Sequence, residues 1–255
     1  MRVEVRTYSG YTFRSYGRYK APGGYFEMLR GGRRIYSRNG GDFMVALQER
    51  TGKPLMGRDI TGDGQPDLAV SEFGRGAHGP YFAYVFQIGK KFRHIATIDG
   101  EHDWVRFDDA DKDGKIEALI MDWTFAYWNA SFADSPAPKV ILRYKKGQYA
   151  PAPELMRKPV PPSSVLKKRI EEAAAGLRKI KEYLNDDPYG QAPSILWGTM
   201  LDLMYSGHAD VARAFFDQAW PEGVPGKQRF LSDFRGQLAK SPYWSVIRAR
   251  NEDGI

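Results

Sequence analysis

The stretch of this chain richest in chemistry is an acidic loop with the sequence DADKDGKIE over residues 109–117, here called the second loop. Side-chain carboxylates stand at positions 1, 3, 5 and 9 of its nine residues, and they belong to Asp109, Asp111, Asp113 and Glu117. A calcium ion takes about six to eight oxygen ligands, which alternating carboxylates and a glycine turn can present from one short segment. Lys115, at position 7, would add its backbone carbonyl. The spacing therefore predicts a calcium site.

The same spacing occurs fifty residues earlier, in the sequence DITGDGQPD over residues 59–67, here called the first loop. The predicted ligands are the side chains at positions 1, 3, 5 and 9 and the backbone carbonyl at position 7: Asp59, Thr61, Asp63, Gln65 and Asp67. Ordinary Asp-Gly surface turns are the alternative, but a turn needs neither this acid spacing nor its repetition. Because Thr61 is neutral, we expect the second loop to bind calcium more tightly than the first.

Neither loop is an EF-hand, because the glutamate that closes an EF-hand at position 12 is replaced by Val70 and Ile120. Short apolar runs follow both loops and predict buried strands. The segments DITGDGQPDLAV and DDADKDGKIEALI, with the glycine- and tyrosine-rich stretch 76–86, resemble the FG-GAP or VCBS-type repeat. This resemblance covers residues 59–149 and implies the calcium-loop blades of integrin α propellers and many bacterial surface proteins. Thr61 and Glu117 depart from the residues usual in that family.

A hairpin pattern recurs in the first part of the chain at a constant offset of 57 residues. An apolar strand, a turn of Gly, Lys or Arg, and an aromatic or apolar residue occur in each of the segments 28–35, 85–92 and 142–149. Repeats of this length indicate propeller-like blades or stacked hairpins, and three are too few for an ordinary closed propeller. We therefore predict a repeat-built β domain over residues 1–158, either an incomplete propeller or a sandwich.

The remaining residues, 159–255, predict an all-helical domain. Prolines between Pro151 and Pro162 predict a linker, because proline cannot donate to a sheet ladder. Apolar residues then recur at helical spacing, and the predicted helices cover 165–184, which ends at the Asn-Asp-Asp-Pro segment 185–188, then 193–205, 209–220 and 230–238. The spacing of Gly207, Ala212, Phe216 and Ala219 resembles one tetratricopeptide hairpin, although Trp197 is one residue out of register and no second copy follows.

Composition excludes several classes of protein and favours one location. The chain of 255 residues is 42% hydrophobic, and its lack of cysteine excludes disulfides and thiolate metal sites. No apolar run reaches the ~18 residues of a membrane span. Loops of this type in extracellular modules bind calcium at about 10⁻⁴–10⁻³ M, so we expect an extracytoplasmic protein, periplasmic or secreted, whose signal peptide is absent from this sequence.

No catalytic constellation is identified. Four histidines, at positions 78, 94, 102 and 208, form no HxxxH zinc pair, and neither a nucleophile elbow nor a phosphate-binding glycine loop occurs. His102 and Asp103 are adjacent and could act as an acid–base pair, but a polar turn explains them better. The sequence therefore predicts a non-enzymatic calcium-binding module with a protein or glycan partner and no nucleic acid. The alternative is a calcium-dependent hydrolase or lyase that acts on polysaccharide.

Positive charge is concentrated near the N-terminus. Residues 1–58 contain twelve Arg and Lys against four acids, whereas the whole chain carries a net charge of +7. The cations are interleaved with aromatic residues, which is typical of a surface that binds an anionic polymer. The alternative is a sheet whose aromatic rings pack on one face while the arginines are solvated on the other.

We predict that replacing Arg30, Arg33 and Arg34 with Gln will lower the salt concentration that elutes the protein from heparin, if this region binds polyanions. Elution at unchanged salt would identify the arginines as a solvated strand face.

Overall fold

A computed structural model describes residues 2–17, 23–45, 47–49, 52–74, 76, 79–184, 191–249 and 251. The chain divides into two compact units. The first unit comprises Met1–Ile120 and Ile141–Ala150, and the second comprises Met121–Val140 and Pro151–Ile255. The predicted domain bounds, 1–158 and 159–255, remain a prediction.

Twelve strands, numbered β1 to β12, form three four-stranded antiparallel sheets within the described residues. The first sheet contains β1 (Arg2–Tyr8), β2 (Tyr11–Gly17), β3 (Gly24–Arg30) and β4 (Arg33–Gly40). The second contains β5 (Asp42–Met44), β6 (Asp67–Phe73), β7 (Tyr81–Ile88) and β8 (Phe92–Glu101). The third contains β9 (Arg106–Asp108), β10 (Glu117–Met121), β11 (Lys139–Lys145) and β12 (Gln148–Pro151). Each sheet is thus built from consecutive strands, and none closes into a barrel.

The three predicted hairpins coincide with the last two strands of the three sheets. In the first hairpin Arg30 pairs with Arg33, and Gly31 and Gly32 form the turn at positive φ angles of 55° and 77°. In the second hairpin Ile88 pairs with Phe92. Glycine supplies the left-handed conformation that the first turn needs without a steric cost.

Aromatic side chains form the core shared by the first two sheets. Phe13, Phe26 and Phe86 are each at most 1% exposed, and the ring centroids of Phe26 and Phe86 lie 6.4 Å apart. Arg33 and Arg34, by contrast, are exposed. Packed rings and exposed arginines thus occur in the same sheet, although Tyr16 and Tyr25 share the Glu27 carboxylate with Arg14. Binding of a polyanion by this region stays a prediction. Tyr19, which belongs to the same pattern, lies outside the described residues.

The C-terminal part contains helices α1 to α6. They span Pro153–Met156, Ser163–Leu177, Ser194–Tyr205, Ala209–Ala219, Lys227–Leu238 and Trp244–Arg248. None of the helices found among the described residues has the length and apolar composition required to cross a membrane.

Two predictions about this part were wrong. The proline-rich segment is not a plain linker, because Pro151 ends β12 and Pro153 begins α1, where its missing N–H costs nothing. Helix α2 ends at Leu177 and not near residue 184. Gly176, a poor helix former that packs against Pro193, precedes this end. The predicted terminating segment, 185–188, lies outside the described residues.

A buried carboxylate organises the second unit. Asp122 is 1% exposed, and its Oδ2 accepts hydrogen bonds from the hydroxyls of Tyr205 and Ser241, each at 2.5 Å. Its Oδ1 accepts from the backbone N–H of Thr124 at 2.9 Å and from the hydroxyl of the same residue at 2.5 Å. Burial, followed by the Asp122 charge and hydrogen bond, raises the pKa of Tyr205, so the tyrosine remains a donor.

We predict that Asp122→Ala will lower the free energy of unfolding by roughly 2–4 kcal/mol, because it leaves several buried donors without an acceptor. Urea denaturation of the full chain measures this change. Glu172→Ala, at a half-exposed helical position, is the control and should change stability by less than about 0.5 kcal/mol. Equal effects of the two substitutions would contradict a structural role for Asp122.

Candidate metal centre

Both acidic loops connect the first strand of a sheet to the second. The first loop follows β5 at a distance and leads into β6, whose first residue is Asp67. The second loop joins β9 to β10, whose first residue is Glu117. These two carboxylates, at position 9 of their loops, are both fully buried. Each loop therefore closes on a carboxylate at the start of a buried strand.

The backbone of the first loop wraps around the carboxylate at its first position. Asp59 Oδ1 accepts from the N–H groups of Gly62 and Asp63 at 2.6 and 3.0 Å, and its Oδ2 accepts from Gly64 at 2.7 Å. Both glycines have positive φ angles, 76° and 79°, which favour glycine at these positions. Asp63 Oδ1 similarly accepts from the N–H of Gln65 at 2.9 Å.

Asp67 is hydrogen-bonded to the first loop through only one of its two carboxylate oxygens. Its Oδ2 accepts from the N–H groups of Ile60 and Thr61 and from the Thr61 hydroxyl, each at 3.0 Å. Its Oδ1 is buried without a hydrogen-bond partner. Burial raises the pKa of Asp67 from the usual 3.8 to about 6, against the lowering effect of these hydrogen bonds. A buried carboxylate oxygen without a donor is costly and suits a cation.

The second loop repeats this scheme. Asp109 Oδ2 accepts from the N–H of Gly114 at 3.0 Å, while Asp109 Oδ1 is buried without a hydrogen-bond partner. Glu117 Oε2 accepts from the N–H of Ala110 at 3.0 Å. Ligand oxygens of Asp109, Asp111 and Glu117 all lie within 4.8 Å of one another. Among the described residues this is the one group of three or more acidic or histidine side chains so arranged, and it excludes the carboxylates of the first loop.

An arginine that the sequence analysis did not single out reaches into the second loop from β11. Arg143 Nε donates to Glu117 Oε1 at 2.7 Å, and Arg143 Nη2 donates to Asp111 Oδ2 at 2.8 Å. The same nitrogen lies 3.5 Å from Asp113 Oδ2. Burial disfavours the charge of Arg143, but the hydrogen bonds to Asp111 and Glu117 outweigh it and raise the pKa of the guanidinium. Three of the four predicted carboxylate ligands therefore contact one internal cation.

Neighbouring side chains also affect position 5 in each loop. Gln87 Nε2, from β7, donates to Asp63 Oδ2 at 2.8 Å in the first loop. In the second loop Lys115 Nζ lies 3.3 Å from Asp113 Oδ2. The pKa of Asp113 is lowered, first by the hydrogen bond from the Lys115 backbone and then by the Lys115 and Arg143 side chains.

The hydroxyl of Tyr149 is a further buried polar atom in the first unit. It has no hydrogen-bond partner. Burial is the main cause that raises the pKa of Tyr149, and the charges of Asp67 and Glu117 add to it. Tyr149 therefore lies in the field of both loop-closing carboxylates.

Comparisons of the chain with protein-family models, with curated proteins and with solved structures give no match. The resemblance to the FG-GAP or VCBS-type repeat thus rests on the residues of the two loops.

The donor set nevertheless fits a hard divalent cation. Its members are carboxylate, hydroxyl and carbonyl oxygens, the ligands that calcium prefers, and each loop contains one buried carboxylate oxygen that no donor satisfies. In the first loop the hydroxyl of the predicted side-chain ligand Thr61 donates a hydrogen bond to Asp67, and its oxygen retains lone pairs that could bind a cation. Gln65 is exposed, and its side chain turns to the carbonyl of Gly64 at 3.3 Å.

We predict that in calcium-free buffer the contribution of Asp67 to the free energy of unfolding will fall as the pH rises from about 4 to about 6. A carboxyl whose pKa is higher in the folded state than in the unfolded state favours folding only while it is protonated. Relative to Asp67→Asn, wild type should lose up to roughly 2–3 kcal/mol across this range. Urea unfolding of both proteins at several pH values measures the difference. A pH-independent difference would contradict the prediction.

Proposed function

We propose that this protein is a non-enzymatic calcium-binding module of the FG-GAP or VCBS type. One observation carries the proposal: Asp67 Oδ1 and Asp109 Oδ1 are buried without hydrogen-bond partners, while the other oxygen of each carboxylate is held by the backbone of its own loop. A buried anionic oxygen with no donor costs several kcal/mol, and a bound dication would offset this cost.

Calcium would neutralise the converging carboxylates and fix each loop to the strand that follows it. In the first loop Asp59, Thr61, Asp63 and Asp67 would hold the ion, with the carbonyl of Gln65. In the second loop Asp109, Asp111, Asp113 and Glu117 would hold it, with the carbonyl of Lys115. The role of the metal is structural, because it supplies positive charge where the fold gathers negative charge.

The arrangement of the sheets extends this proposal to the architecture. Three meanders of four consecutive strands, two of them with an acidic loop between the first and second strands, are typical of propeller-like blades. We propose that the β sheets form an incomplete propeller that presents a rigid surface to a protein or glycan.

We also propose an extracytoplasmic location. Loops with affinities near ~10⁻⁴–10⁻³ M fill with calcium outside the cytosol and stay empty inside it. The internal ion pairs of the second loop lower the charge that attracts calcium, which favours this weak range.

We predict that calcium, but not magnesium at the same concentration, will raise the melting midpoint of the protein. An ion that binds only the folded state stabilises it by about 1.4 kcal/mol at ten times its Kd, which corresponds to roughly two to four degrees here. Melts in EDTA, in millimolar calcium and in millimolar magnesium measure the shift.

The double variant Asp63→Ala/Asp111→Ala should lose most of the calcium-dependent shift, because it removes an exposed ligand from each loop. Asp99→Ala, an exposed aspartate on β8, is the matched control and should keep the shift. Identical midpoints of wild type in all three buffers would exclude calcium binding.

A further inference from the structure

The two loops differ most in the side chain that reaches them from the neighbouring strand. Gln87, a neutral amide, donates to Asp63 at 2.8 Å in the first loop. Arg143, a cation, contacts Asp111 and Glu117 at 2.8 and 2.7 Å in the second. The loops share their acid spacing except at position 3, where Thr61 stands against Asp111. The charge of the neighbouring side chain is therefore a second difference between the two sites.

Arg143 is placed where a metal ion would act. Its side chain is 14% exposed, and its partner Glu117 is fully buried, so water screens their attraction poorly. The guanidinium bridges carboxylates that are separated in sequence but converge in the loop. These are the interactions by which a dication would hold the loop closed.

The first loop has no comparable cation among its described contacts. The ion pair described for its carboxylates is with Arg93, whose Nη2 lies 3.9 Å from Asp63 Oδ2 and whose side chain is 59% exposed. Asp67 is fully buried, is aimed into the loop by three hydrogen bonds to Oδ2, and keeps Oδ1 unpartnered. Asp109 Oδ1 in the second loop is also unpartnered, but the carboxylates of that loop contact Arg143. The buried negative charge that lies without a neighbouring buried cation is therefore in the first loop.

We propose that Arg143 is a built-in counter-ion that holds the second loop closed without metal, so that the first loop is the tighter calcium site. This inference rests on the proposed calcium function. It reverses the order expected from the number of carboxylates, because a bound dication in the second loop must share its ligands with a guanidinium or displace it. The loop in the third sheet is then held closed by an internal ion pair, whereas the loop in the second sheet closes when calcium binds.

Exchanging the two side chains tests this proposal. Calcium titrations by isothermal calorimetry, in metal-free buffer at pH 7, compare wild type with Arg143→Gln and with Gln87→Arg. Arg143→Gln should tighten the weaker site at least about tenfold, because a like charge next to the ion is removed. Gln87→Arg should weaken the tighter site by about the same factor. Arg6→Gln, which removes the same charge outside both loops, should leave both sites unchanged.

Thermal melts supply a second readout. Without calcium, Arg143→Gln should melt at a lower temperature than wild type, because the second loop loses its counter-ion. Calcium should then raise the melting midpoint of the variant by more than it raises that of wild type. If Arg143→Gln fails to fold, Gln87→Arg still decides the outcome, since Gln87 is only partly buried and its side chain faces exposed Asp63.

The outcomes separate the two proposals. Calcium binding by wild type with affinities unchanged in both exchange variants would overturn the role of Arg143 and leave the calcium function intact. Absence of calcium binding in every variant would overturn the calcium function and, with it, this inference.

Discussion

Burial of negative charge at the starts of β6 and β10 is the constraint that shapes the first unit. A carboxylate with no access to water must find hydrogen-bond donors or a cation, or else take up a proton. Asp67 and Glu117 both recruit N–H groups from the loop that precedes them. This requirement fixes the path of each loop, and the loop in turn fixes where the strand begins.

The two sites satisfy the remaining charge in different ways. Glu117 has a guanidinium within hydrogen-bond distance, so both of its oxygens have donors. Asp67 has donors on one oxygen only, and burial raises its pKa to about 6 despite those hydrogen bonds. Loops that share one acid spacing can therefore differ in how the charge of their buried carboxylates is compensated. Counting acids within a loop does not distinguish them.

Much of the β architecture could be predicted from local sequence. The turns at Gly31–Gly32 and near Gly89 lie where hairpins were predicted, because turn chemistry acts over a few residues. The end of α2 could not be predicted in the same way, since the apolar period continues past Leu177 while the helix does not. Packing of Gly176 against Pro193 is a tertiary effect that spacing does not reveal. The hydrogen bonds of Asp122 could not be predicted for the same reason, because its partners Tyr205 and Ser241 lie 83 and 119 residues away in the sequence.

The candidate site was predictable only in part. Its carboxylates follow from spacing, but Arg143 lies 26 residues after Glu117 and meets it only through the pairing of β10 with β11. The one signal in the sequence is a cation that directly follows the apolar run 140–142 inside β11, and the basic hairpin pattern obscured it. The side chains that neighbouring strands direct at an acidic loop therefore need to be known before its net charge can be judged.

The route of the chain through the third sheet bears on how the protein folds. After β10 the chain leaves this sheet at Asp122 and returns through Pro138, and the Asp122 N–H donates to the Pro138 carbonyl at 2.9 Å. Closing such a loop costs entropy before any strand pairing repays it, whereas the turn between β1 and β2 closes almost at once. We expect the first sheet to form early and the third to form late. On this order of events Arg143 meets its carboxylates late, and before then no guanidinium offsets the negative charge of the second loop.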